Sequence, residues 1–107
     1  QGAIISSAYI QFQVDETTDS GAVTIDIVGI DVDDAAVFTA TASNISDRID
    51  GDISSATTAF QSWSPPEWTS AGAQGVDQQT SDLSAIVKEL VDRGGWVSGN
   101  AMAFVFS

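Results

Sequence analysis

The sequence has no cysteine and no histidine among its 107 residues. Thiol nucleophiles, disulfides, Cys/His zinc sites and a Ser-His-Asp triad are therefore excluded. The lack of cysteine leaves the redox compartment open, because a disulfide-free domain is compatible with either. Basic residues are nearly as scarce: Lys and Arg total 3 against 15 Asp and Glu, a net charge of −12. A field of that sign repels phosphate backbones and anionic headgroups, which argues against nucleic acid and membrane surfaces as partners. The same acidity suits saline surroundings, where counterions screen self-repulsion, and it also serves simply to keep a domain soluble. No apolar run is long enough to cross a bilayer, and no internal repeat is present.

What remains is the material of one domain spanning 1–107, large enough to bury a core without metal or disulfide staples. The chain starts at Gln1 without a Met or a charged-then-apolar leader, and it ends inside an expected strand. Those two features predict a piece of a longer chain that lacks edge strands.

One stretch has helical periodicity. Leu83, Ile86, Val87, Leu90 and Val91 recur at the spacing of a single apolar stripe, which predicts an amphipathic helix at about 81–93. Thr80 is the expected N-cap, Asp82 sits in the first turn, Glu89 and Arg93 are an i,i+4 pair, and Gly94 is expected to close the helix in the left-handed conformation.

The rest alternates at period 2 or is loop. Residues 8–14 place Ala8, Ile10, Phe12 and Val14 opposite Tyr9, Gln11 and Gln13. Residues 22–29 place Val23, Ile25 and Ile27 opposite Thr24 and Asp26, and the two segments are expected to pair antiparallel. Residues 53–63 read as a third strand, stopped by Pro65-Pro66 because proline cannot donate to a ladder. Residues 101–106 are apolar on both faces, which predicts a central, doubly buried strand.

Several segments together resemble a known module: Ser-Ala-Tyr-Ile-Gln-Phe-Gln-Val-Asp-Glu at 7–16, Asn44-Ile45-Ser46-Asp47-Arg48, Trp63-Ser64-Pro65-Pro66-Glu67-Trp68, residues 82–87, Gly95-Trp96 and Gly99-Asn100-Ala101. The module is the jelly-roll-like β-sandwich of large secreted or surface proteins of marine and other environmental bacteria, similar in outline to carbohydrate-binding modules. Its layout usually has a strand before this start and a Gly-rich, Arg-containing hairpin with a last strand after this end. Ser81 also stands where the module tends to have proline.

Candidate ligand groups fall into two kinds. Asp15, Glu16 and Asp19, then Asp31, Asp33 and Asp34, then Asp47, Asp50 and Asp52 form acidic clusters whose oxygens suit calcium, although none has EF-hand spacing. Asp31, Asp33 and Asp34 are the best metal candidates; a solvated acidic loop explains the same pattern. Trp68 and Tyr9 are the candidate ligand-binding residues, because aromatic faces stack on the C–H faces of pyranose rings. Trp63 and Trp96, beside Pro-Pro and the helix end, are placed to pack the core. With three Glu and no His, no acid pair stands out for glycosidase chemistry, and no enzyme activity is expected. Asn44-Ile45-Ser46 matches a glycosylation acceptor, which matters only in a host that glycosylates.

The expected protein is mainly β: an antiparallel, jelly-roll-like β-sandwich with one helix. The resemblance implies a noncatalytic extracellular or cell-surface module that recognises carbohydrate or a surface polymer, with or without calcium. The alternative is a structural, assembly or adhesin spacer module. Expected partners are a polysaccharide or a neighbouring protein domain, with self-association through an open sheet edge.

Overall fold

The computed structural model describes residues 2–18, 21–42 and 56–107. Asp19, the Asp47, Asp50 and Asp52 cluster, the Asn44-Ile45-Ser46 tripeptide and the start of the third expected strand lie outside them. The described residues are mainly β, with a three-stranded antiparallel sheet and one α-helix. The strands are β1 (Ile25–Ile30), β2 (Ala56–Trp63) and β3 (Phe104–Phe106), in the order β2-β1-β3, and the helix is α1 (Ser84–Val91). Among the described residues there is one sheet rather than the two of a sandwich. No helix among them is long and apolar enough to cross a membrane.

β1 is the centre because its β-branched residues suit a pleated, half-buried surface on both sides. Ile25 lies opposite Trp63 on β2, Ile27 opposite Gln61 on β2 and Phe106 on β3, and Gly29 opposite Phe104. These residues share the face that carries α1. Ile27, Trp63, Leu83, Ile86 and Leu90 form the buried core, with Ala8, Ile10, Phe12 and Trp68 packed against it. Four of the five residues in the predicted helical stripe, Leu83, Ile86, Leu90 and Val91, are buried. On the opposite face, Phe60, Val28 and Val105 line up across the three strands, and Phe60 is 63% exposed.

The helix reaches the sheet at Gly29. A methyl group there would meet Ile86 Cγ2 at 2.9 Å, Thr57 Cγ2 at 3.0 Å and Leu90 Cδ1 at 3.1 Å. Opposite Gly29 the β1–β2 register slips between Val28 and Ile30, leaving extra residues on β2. Side chains repair the ladder at this bulge. The Gly29 N–H donates to Thr57 Oγ1 (3.0 Å), and that hydroxyl donates to the Ala59 carbonyl (2.7 Å). The two N–H groups left over, Thr58 (2.7 Å) and Ala59 (2.9 Å), donate to the two carboxylate oxygens of Glu89 on α1.

Residues 8–14 do not join β1 as expected. Both sides of β1 are taken by β2 and β3, so the segment runs along residues 72–83 instead. Phe12 N–H donates to the Gln78 carbonyl, Thr80 N–H to Ile10, Leu83 N–H to Ala8 and Val14 N–H to Ala73, with one antiparallel bridge at Gln11 and Gln79. Thr80 serves here rather than as an N-cap: its Oγ1 accepts from Ile10 N–H at 3.0 Å. The N-cap position is Leu83, and Asp82 just before it accepts the N–H of Ser84 (3.0 Å) and of Ala8 (3.1 Å) on Oδ1. Helix α1 therefore starts later than the stripe suggests.

Its other end also differs. Gly94 does not take a positive φ; the chain continues through Arg93 N–H to Leu90 and Trp96 N–H to Arg93. Glu89 and Arg93 do not pair, because Glu89 is committed to β2 and Arg93 to the loop after β1. Lys88 and Asp92 form the i,i+4 contact instead, at 2.6 Å on an exposed surface. Finally, among the described residues β3 lies at the edge of the sheet rather than at its centre. Phe104 and Val105, on its two faces, are each partly covered.

Two outcomes are expected. Gly29→Ala should destabilise the fold by about 1–3 kcal/mol through overpacking, read as a lower urea midpoint at unchanged slope. Asp82 is held below the ordinary aspartate range by the Ala8 N–H first, then the Ser84 hydroxyl and N–H. A depressed native value contributes stability above the unfolded-state value and loses it as pH falls below about 4. Stability should thus fall through that acid window in the wild type and be less pH-dependent there in Asp82→Asn, as measured by urea unfolding across pH.

Candidate functional site

Four aromatic rings from three separate segments meet beside the core. Phe12 stacks on Trp63 with centroids 5.6 Å apart and an interplanar angle of 14°. Trp68 lies 6.3 Å from both Phe12 and Trp63, and Phe106 meets Phe12 edge-on at 6.1 Å. Offset and tilted pairs of this kind suit the ring quadrupoles. Pro65 and Pro66 end β2 and turn the chain so that Trp68 returns onto Trp63. The Trp68 Nε1–H donates to the Asp77 carbonyl at 3.1 Å, which fixes the plane of the indole.

An open groove of about 230 Å³ lies against this cluster. Its more buried lining comes from Trp63, Ile25, Pro65 and Trp68, and its exposed lining from Pro66, Val23, Gly21 and Glu16. Glu16 is the charged residue of the described lining, and one of its carboxylate oxygens accepts the Thr18 hydroxyl. The groove so formed is open, largely apolar and edged by one carboxylate. It offers ring faces for C–H contact and an acceptor for hydroxyl or ammonium donors, but no paired acid and base.

Trp68 therefore stands in the groove, half-buried and partly a core residue. Tyr9 does not line it: this side chain is 54% exposed, on the segment pinned to residues 80–83. The structure does not bring the two candidate stacking residues to one site. Trp63 is buried, as its position before Pro-Pro predicts, and Trp96 is half-buried. Glu16, Val23 and Ile25 join the site without a local signal. They come from a part of the chain far from Trp68: β1 beside the end of β2 places Ile25 and the adjoining Val23, and the pinning of Val14 to residues 72 and 73 precedes Glu16.

The Asp31, Asp33 and Asp34 loop is a structural knot. Arg93 Nη1 contacts Asp31 Oδ1 at 2.6 Å and Arg93 Nε contacts Asp33 Oδ1 at 2.7 Å. Asp34 Oδ1 accepts the Ala101 N–H at 2.8 Å, and the Asn100 side-chain amide donates to the Asp33 carbonyl at 3.1 Å. The guanidinium fork holds two carboxylates at once, and they in turn keep Arg93 protonated, Asp33 first and then Asp31. Gly95 lies alongside, and a Cβ there would displace the Asp33 carboxylate. Among the described residues no cluster of three or more acidic side chains is arranged to hold a metal ion.

The chain matches no protein-family model, no curated protein and no solved structure. The functional reading accordingly rests on the groove itself.

With Arg93 between Asp31 and Asp33, millimolar calcium should leave the wild-type melting temperature unchanged. Arg93→Gln should lower it by stranding two carboxylates side by side. A calcium-dependent rise in the wild type, followed by circular dichroism, would overturn this assignment.

Proposed function

We propose that the protein is a noncatalytic carbohydrate- or surface-polymer-binding module that acts outside the cell or at its surface. The observation that carries this reading is the open groove of about 230 Å³ walled by Trp63, Trp68, Pro65 and Pro66. Rigid rings present contact area without losing side-chain freedom on binding, which is what a weakly hydrated sugar face requires. The strong net acidity suits a saline setting outside the cell. In this reading the three-stranded sheet is one layer of a jelly-roll-like sandwich, and the row of Phe60, Val28 and Val105 faces the second layer. Calcium assistance is the weaker form of the proposal, because Asp31 and Asp33 already hold Arg93.

A second reading, assembly through a sheet edge, has one observation of its own. The register of β3 on β1 turns the backbone groups of Phe104 and Phe106 away from β1, where they meet no ladder partner among the described residues. Such an edge accepts a strand from another protein or a second copy.

Retention on immobilised polysaccharides, with calcium and with chelator, separates these readings. The carbohydrate reading expects chelator-insensitive retention that weakens about tenfold or more in Trp68→Ala. Val23→Trp should also abolish it, since a bulky neutral side chain at the exposed rim blocks the groove without entering the core. Absence of retention on every polymer, together with concentration-dependent dimers in sedimentation, would favour assembly.

A further inference from the structure

We infer that the groove takes an amine-bearing glycan, a hexosamine polymer with free amino groups, its ammonium beside Glu16 and its pyranose ring against Trp68. This inference rests on reading the groove as a carbohydrate site. Seven of the eight described lining residues are uncharged, and the eighth is a carboxylate. The whole chain carries a net charge of −12. A polyuronate or sulfated glycan would bring anions to that carboxylate within a repulsive field. A neutral glycan would satisfy the ring faces but leave Glu16 with ordinary hydroxyl contacts. An ammonium makes a charge-assisted hydrogen bond there, and a cation within about 6 Å of an indole face is attracted by the ring as well.

Size narrows the occupant further. The groove holds about 230 Å³, below the about 300–1,000 Å³ of sites for drug-sized ligands, so it seats one ring. Because the groove is open, the polymer continues past it on either side. A basic peptide brings the same charge, but on a flexible stem whose rotamer freedom is lost on binding, whereas the pyranose is already rigid.

The test is calorimetric titration of the purified protein at physiological salt and mildly acidic pH, where the amine is protonated. The probes are glucosamine oligomers, N-acetylglucosamine oligomers of equal length, oligouronates and a Lys/Pro-rich peptide. The expected result is binding of the glucosamine oligomer about tenfold or more tighter than the acetylated one, with Glu16→Gln removing the preference. Glu16 is exposed and outside the core, so this variant keeps the fold even where Trp68→Ala does not. Equal binding of both oligomers, unaffected by Glu16→Gln, would overturn the amine inference and leave the carbohydrate reading standing. Glucosamine binding that survives both Glu16→Gln and Trp68→Ala would mark adsorption to the acidic surface and overturn the site. Binding of the peptide alone, or of no probe, would overturn the amine inference, whereas the carbohydrate reading falls only with absent retention on every polysaccharide.

Discussion

The rest of the structure depends on the missing side chain at Gly29. Only a bare Cα lets Ile86, Leu90 and Thr57 close over the middle of β1, and that contact fixes the height of α1 above the sheet. Once the helix is at that distance, Glu89 reaches the bulge in β2 and takes up the two N–H groups the irregular ladder leaves over. The bulge, the glycine and the carboxylate are one arrangement. The bulge supplies donors that need an acceptor, the glycine allows approach, and the helix carries the acceptor. The half-buried Ala59 N–H left unmade would cost about 1–3 kcal/mol, so each part constrains the others.

A second constraint follows from the scarcity of cations. Lys and Arg total 3 in the chain, and Arg93 is spent on joining the helix end to the loop after β1. Its fork holds Asp31 and Asp33, while Asp34 holds the start of the segment leading into β3. The acidic loop thus fastens the helix, the central strand and the last strand at one end. At the other end the aromatic rings of Phe12, Trp63, Trp68 and Phe106 do the same by contact, and the groove is the open side of that cluster.

Local signals were legible, and partnerships were not. The stripe of Leu83, Ile86, Leu90 and Val91 identifies the buried face of α1 because helical spacing is a property of neighbouring residues. The alternation in residues 22–29 and the Pro-Pro stop likewise mark β1 and the end of β2. What periodicity lacks is the identity of the partner. Residues 8–14 have a strand's pattern, yet Thr80 and Asp82 offer side-chain acceptors that draw them to residues 72–83. Glu89 and Arg93 have the spacing of a helical pair, yet stronger acceptors and donors lie across the fold. Trp68 stands out in the sequence beside the Pro-Pro turn, and it lines the groove. The groove lining by Glu16 and Val23 was not legible, because Glu16 follows the segment held by residues 72–83 and Val23 leads into β1, and Tyr9 lies at another place.

The position of β1 has a consequence for how the chain comes into being. Both strands that flank it lie later in the sequence, so during synthesis the central strand emerges with no neighbour on either side. Loop-closure entropy is spent before either ladder forms, and the sheet cannot be completed until residues 104–106 leave the ribosome. In the interval Ile25, Ile27 and Ile30 are bare, which is the kind of intermediate that aggregates. Asp15, Glu16, Asp26, Asp31, Asp33 and Asp34 surround that segment in the nascent chain. Their mutual repulsion keeps unfinished chains apart, so the acidity that shapes the finished surface also guards the molecule while its centre waits for partners.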